Sequence, residues 1–148
     1  MGANTTGWLN NAVGFGALGA NVIGCQNNAF GYGALKNNIC SNSTAVGHGA
    51  LCNQTTGHSN VAIGSRAGLG ITTGSNNIII GYNANASSGT ATNEITIGST
   101  THTTFRLPGL QSGATTGDVL CYNGTSLVLA AAAGGGGGLD SAAITSLI

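Results

Sequence analysis

A unit of about seventeen residues recurs through the first two thirds of the chain, and this repeat limits the possible folds more than any single motif does. NNAVGFGAL begins at Asn10, NNAFGYGAL at Asn27, STAVGHGAL at Ser43 and NVAIGSRAG at Asn60. NIIIGYNAN from Asn77 and EITIGST from Glu94 continue the pattern. The central glycines Gly14, Gly31, Gly47, Gly64, Gly81 and Gly98 follow one another at steps of 17, 16, 17, 17 and 17. Before each glycine stands Val13, Phe30, Val46, Ile63, Ile80 or Ile97. These residues are β-branched or aromatic, so the motif predicts a short strand.

Strand alternation sorts the neighbouring positions onto two faces. Asn11, Asn28, Thr44, Val61, Ile78 and Ile95 share a face with the bulky column and become apolar in the second half. The opposite face carries Ala12, Ala29, Ala45 and Ala62 beside the glycines, and such a flat face admits another backbone closely. The bulky column is therefore expected to form the repeat core. Segments such as TTGWLNN, TTGHSNV and TTGSNNI separate the strands with residues suited to turns. One unit accommodates two short strands and two turns, a single coil of a parallel β-solenoid, with equivalent residues ~4.8 Å apart in successive coils. Such a coil orders many residues for few large apolar side chains, so association of several chains is expected to complete the core.

The motifs NNAVGFGAL, NNAFGYGAL and TTGSNNIIIGYNA resemble the head repeats of trimeric autotransporter adhesins of the YadA type. They resemble more closely the related repeats of bacteriophage and marine-virus tail fibres. The resemblance spans Thr5 to Thr100. It implies a homotrimeric, left-handed parallel β-roll of about six coils, with the N-x-[AV]-[IV]-G segments on its inner strands. The four cysteines depart from the adhesin pattern and favour the viral fibre.

Beyond residue 100 the pattern changes. THTTFRLPGLQSG, holding the single proline Pro108, reads as a transition. GDVLCYNGTSLVLAAAA places two apolar runs around Asn123-Gly124, which predicts a β-hairpin within a small β module over residues 101–133. Gly134 to Gly138 read as a flexible linker, and residues 134–148 as that linker and the start of a further fibre segment, in which Ser141 to Ile148 would form at most a short helix.

Chemistry-bearing residues are sparse. The basic residues Lys36, Arg66 and Arg106 cannot form the clustered patch that nucleic acid requires. The carboxylates Glu94, Asp118 and Asp140 show no pairing suited to glycoside hydrolysis, and no nucleophile stands in a catalytic motif, so no enzymatic activity is expected. Cys25, Cys40, Cys52 and Cys121 lack CxxC spacing, which argues against zinc and redox motifs and suits reduced thiols. If the 16-residue step omits the counterpart of Gly24, Cys25 and Cys40 share a column within disulfide reach. Among the histidines, His48 belongs with Phe15, Tyr32 and Tyr82 in a stacked column, and His58 lies in a turn. His102 is the one weak metal candidate, through symmetry copies on a trimer axis. Otherwise no metal or cofactor is expected.

No run approaches 18 apolar residues, and MGANTTGWLNNAVG does not read as a secretory signal. The expected location is a virion tail fibre assembled in a host cytoplasm, with a bacterial surface as the alternative. The expected partners are two further copies of the chain, other fibre or virion proteins and a host-surface receptor. Trp8 and Tyr122 are the candidate ligand contacts. Low charge and the threonine pairs at Thr5, Thr55 and Thr72 also suggest an ice-binding solenoid, but Val22-Ile23 and Asn38-Ile39 interrupt that ladder.

Overall fold

The computed structural model describes residues 2–104 and two later strands, Asp118–Tyr122 and Leu127–Ala131. The chain divides into two units, Met1–Thr103 and Thr104–Ile148. In the first, each repeat motif contributes one three-residue strand: β1 (Asn11–Val13), β2 (Asn28–Phe30), β3 (Thr44–Val46), β4 (Val61–Ile63), β5 (Ile78–Ile80) and β6 (Ile95–Ile97). They form one parallel sheet in chain order, with Ala12, Ala29, Ala45, Ala62, Ile79 and Thr96 in register. Parallel pairing between consecutive repeats makes the unit a β-solenoid. No helix occurs among the described residues.

Turning the chain within so few residues requires backbone with positive φ. Two glycine columns supply it in different ways. Gly14, Gly31, Gly47 and Gly64 lie at φ 124° to 136°, a region closed to L-residues. A Cβ on Gly31 would also lie 2.6 Å from the carbonyl carbon of Gly47 in the next coil. Two independent constraints therefore require glycine there, which accounts for the regularity of that column. The Gly16, Gly33 and Gly49 column instead sits near φ 70°, with open space around each glycine. Arg66 and Asn83 occupy the same row in later coils at φ 61° and 54°.

The interior is narrow. Its strand wall is the alanine column, and its facing wall comprises Ala17, Ala34, Ala50, Ala67 and Ala84 with Leu18, Leu35 and Leu51. The three leucines adopt φ near 50°, an unfavourable setting offset by their complete burial. Gly68 takes the next place in the leucine row, and a Cβ there would lie 3.3 Å from Cδ1 of Ile79. Ile79 in turn replaces the alanine of the strand wall, so volume lost on one wall returns on the other.

The column expected to be the core is not inside the coil. Val13, Phe30, Val46, Ile63, Ile80 and Ile97 remain 37% to 58% exposed. The space between the two walls admits alanine at the strand position, and the pleat then directs both neighbouring side chains outward.

The 16-residue step has its shortening in a turn. Asn21 Nδ2 donates to the carbonyl of Gly24, three residues on, whereas Asn38 Nδ2 donates to that of Cys40, two residues on. Cys40 thus takes Gly24's place, and Cys25 pairs with the next residue, its amide donating to Ser41 Oγ at 2.9 Å. The proposed common column of Cys25 and Cys40 does not exist. Cys25, Cys40 and Cys52 are all free thiols.

In the second unit β7 (Asp118–Tyr122) pairs antiparallel with β8 (Leu127–Ala131), with Leu120 opposite Leu129. The Asn123-Gly124 turn, the Pro108 transition, the Gly134 to Gly138 linker and the Ser141 to Ile148 segment lie outside the described residues.

The glycine columns predict unequal responses to added methyl groups. Gly47→Ala is expected to cost more than about 3 kcal/mol, since it combines strain with a backbone clash, and Gly49→Ala only about 1 kcal/mol. Urea unfolding of both variants tests this; equal losses would contradict the assigned geometry.

Candidate functional site

A line of buried polar side chains supports the sheet from within. Asn10, Asn27, Ser43, Asn60, Asn77 and Glu94 each precede a strand, and those from Asn27 to Asn77 are fully buried. The amide N–H of Asn27 donates to Asn10 Oδ1 at 3.0 Å, that of Ser43 to Asn27 Oδ1 at 3.0 Å, and that of Asn77 to Asn60 Oδ1 at 2.9 Å. Each asparagine Nδ2 also crosses the interior to a turn carbonyl: Asn27 to Cys40, Asn60 to Gly74 and Asn77 to Ala91. The two ends of one amide thus join successive coils and opposite walls, and each satisfies a backbone group that would otherwise be buried without a partner.

Ser43 is too short to span the interior. Gln54, fully buried in the row of Asn21 and Asn38, reaches inward instead. Its Nε2 donates to Ser43 Oγ and Asn38 Oδ1, both at 2.9 Å, and its Oε1 accepts from Asn60 Nδ2 at 2.8 Å. In sequence these asparagines adjoin turn segments such as TTGWLNN and read as turn formers. Their place as first letter of each repeat motif was the signal for a structural column.

Glu94 ends the ladder. Its amide still donates to Asn77 Oδ1, but its carboxylate accepts from Ser87 N–H, Ser87 Oγ and Thr96 Oγ1. The Ser87 and Thr96 hydroxyl bonds, in that order, hold the carboxyl below its ordinary value of 4.5, assisted by the Ser87 amide.

The ladder lies beneath the outer strand face. On it the bulky column runs beside Asn11, Asn28, Thr44, Val61, Ile78 and Ile95 in strict register. Ile95, on the last strand, is 68% exposed. Phe15, Tyr32 and His48 continue from the strand ends as a stack, with ring centroids 5.6 and 5.3 Å apart and planes within 18°. This is the column expected for His48. Tyr82 stands apart, since Ser65 occupies the coil between.

The remaining candidates are dispersed. Trp8 is exposed in the turn before β1, while the side chain of Tyr122 lies outside the described residues. His102 Nδ1 accepts the Ser99 amide at 2.8 Å, which leaves Nε2 as its outward nitrogen. Among the described residues no group of three or more His, Cys, Asp or Glu side chains converges. Beside the shortened turn, Ile23, Ile39, Cys40, Asn42 and His58 line an open cleft of about 310 Å³ that holds no carboxylate. The threonine pairs fall in register with Val22 and Ile39, and the hydroxyls of Thr5, Thr55 and Thr72 donate to the next coil's carbonyls. Among the described residues no helix is long and apolar enough to cross a membrane.

No protein-family model, curated protein or solved structure matches the chain.

Two predictions follow from the ladder. Asn60→Ala removes partners of Asn77, Gln54 and Gly74 together, and is expected to destabilise the solenoid by about 2–5 kcal/mol in urea unfolding. Glu94→Gln addresses pH. A carboxyl whose value falls on folding contributes stability above about pH 4.5 and loses it as pH drops through the lower folded value. Acid titrations of the melting temperature should therefore be shallower for the variant below pH 4.5.

Proposed function

We propose that the chain is a structural and attachment module of a homotrimeric viral tail fibre, a parallel left-handed β-roll built from three copies. The observation that carries this reading is the outer strand face, where six in-register bulky side chains stay at least one third exposed. A contiguous apolar face of this kind marks an interaction surface rather than ordinary surface scatter. Its fixed register suits an identical face, because equivalent residues would meet along the whole length. The interior also supports association. It is mostly alanine, so each coil buries little apolar area on its own.

The resemblance of the repeat motifs to YadA-type heads and viral fibres points the same way. Copies packed through this face would form a stiff shaft or head, stiff because backbone ladders and the asparagine ladder run along its axis. Other fibre or virion proteins would join its ends. Host contact, to a surface glycan or protein, would fall to exposed turn side chains such as Trp8. A formal net charge of zero leaves such contacts to hydrogen bonds and stacking rather than charge attraction.

Size-exclusion chromatography with light scattering tests the assembly. A mass near 43 kDa, three times the 14.3 kDa chain, with resistance to SDS, is expected. A stable species of 14.3 kDa would rule the trimeric fibre out.

A further inference from the structure

Two neighbouring columns break their pattern at the same coil. Phe15, Tyr32, His48, Ser65 and Tyr82 form one column, and the residues that follow them, Gly16, Gly33, Gly49, Arg66 and Asn83, form the next. Backbone bonds fix the register: Gly49 N–H donates to the carbonyl of Tyr32 at 2.8 Å, Arg66 N–H to that of His48 at 2.8 Å, and Asn83 N–H to that of Ser65 at 3.0 Å. In the earlier coils a ring stands beside a glycine. At the break the ring becomes Ser65 and the glycine becomes Arg66, and one coil later the ring returns as Tyr82 beside Asn83.

The missing ring leaves a slot. Tyr32 stacks on one face of the His48 ring, with planes 17° apart, and among the described residues no ring covers the other face. Tyr82 lies two coils beyond His48, so two steps of ~4.8 Å set the rings about 10 Å apart. A further ring placed midway would lie ~5 Å from each, within the range of stacked ring pairs. Half-buried Ser65 forms the floor. Side chains in the glycine row project into open space, since a Cβ on Gly33 or Gly49 would meet nothing within 4 Å. Arg66 and Asn83 therefore flank the slot, and both are exposed. Among the described residues the side chains of Ser65, Arg66 and Asn83 and the Tyr82 hydroxyl have no hydrogen-bond or ion-pair partner. Glu94, the one carboxylate within residues 2–104, is held by Ser87 and Thr96. Arg66 and Asn83 also keep φ at 61° and 54°, where glycine is the easiest residue to place, so backbone geometry does not account for them.

We infer that this slot takes one pyranose ring of an acidic glycan, sandwiched between His48 and Tyr82 with its carboxylate on Arg66. The proposal deepens the attachment reading above and rests on it, adding the place of contact and the class of ligand. The C–H faces of a pyranose are apolar and stack on aromatic faces, while its hydroxyls leave from the ring edge, where Ser65 and Asn83 stand. An aromatic side chain of a peptide would also fill the gap, but it would leave those polar groups unmatched. The guanidinium binds a carboxylate through two parallel N–H bonds, which selects an acidic sugar over its neutral counterpart.

Saturation-transfer NMR on the full chain tests the slot. The probes are trigalacturonate, triglucuronate and 3′-sialyllactose, their methyl esters, which keep the rings and remove the charge, and N-acetylphenylalaninamide as the aromatic probe. At least one acid is expected to receive saturation on its ring protons and to bind about fivefold or more tighter than its ester. Ser65→Tyr completes the ring column, so it should weaken that acid at least about tenfold while the melting temperature holds or rises. Arg66→Gln leaves the slot open and should bring acid and ester to within about twofold of each other. Full binding in Ser65→Tyr would overturn the proposal, as would an acid preference that survives Arg66→Gln. Binding of the aromatic probe alone, lost in Ser65→Tyr, would make this a peptide site and overturn the glycan assignment. The failures separate from one another. Sugar binding that ignores both variants leaves the attachment reading standing and removes only this slot, whereas no transfer to any acid removes glycan attachment with it. A monomeric mass with slot-dependent binding defeats the trimer and keeps the site.

Discussion

A narrow interior, with alanine at four of the five buried or half-buried apolar positions of its strand wall, governs the rest of this solenoid. A space so thin cannot hold a conventional hydrophobic core, and it leaves buried backbone groups on both walls. Asparagine resolves both problems in one side chain. Its amide fills the narrow space, bonds along the axis to the next coil and bonds across to the opposite turn, as Asn60 does with Asn77 and Gly74. The sheet is then in register because the ladder beneath it advances one coil at a time.

The same constraint explains departures from the repeat. Where Ser43 replaces asparagine, Gln54 extends from the neighbouring row to complete the bonds. Where Gly68 replaces leucine, Ile79 replaces alanine across the interior. In each case two substitutions in different rows restore a single local quantity, a hydrogen-bond set or a volume. Close packing makes such exchanges necessary, since neither an unfilled methyl-sized space nor an unpaired buried amide is cheap. Bulk is mostly kept off the inner side of the strand wall and accumulates on its outer side, where it builds the exposed column from Val13 to Ile97. The surface proposed for assembly is therefore a consequence of the narrow interior.

Much of this was legible in the sequence. The glycine spacing placed the six strands, although the second strand expected in each unit is absent from the described residues, and the repeat correctly grouped Val13 with Phe30 and Ala12 with Ala29. The aromatic column containing His48 followed from the same spacing, while the two strands flanking Asn123-Gly124 followed from the apolar runs on either side of that dipeptide. These properties are local or periodic, so counting along the chain reaches them. The same counting reached the gradient from Asn11 to Ile95 but not its relation to a surface. The Trp8 candidate rested on residue type, and that of His102 on copies meeting at a trimer axis, so neither could be reached by counting along one chain.

What the sequence by itself determined was the period, one strand in each repeat and the membership of the columns along those strands. Only the tertiary structure decided which column faced inward. Alternation divides a strand into two faces but carries no information about the distance to the opposite wall, and that distance is set by turns bending at Gly16, Leu18 and their equivalents. The shortened turn was ambiguous for a related reason: several placements of one missing residue preserve the spacing, but only the hydrogen bond from Asn38 to Cys40 distinguishes them. Asn10 and its successors looked like turn residues until both walls were present, because a ladder exists only when the coils are stacked.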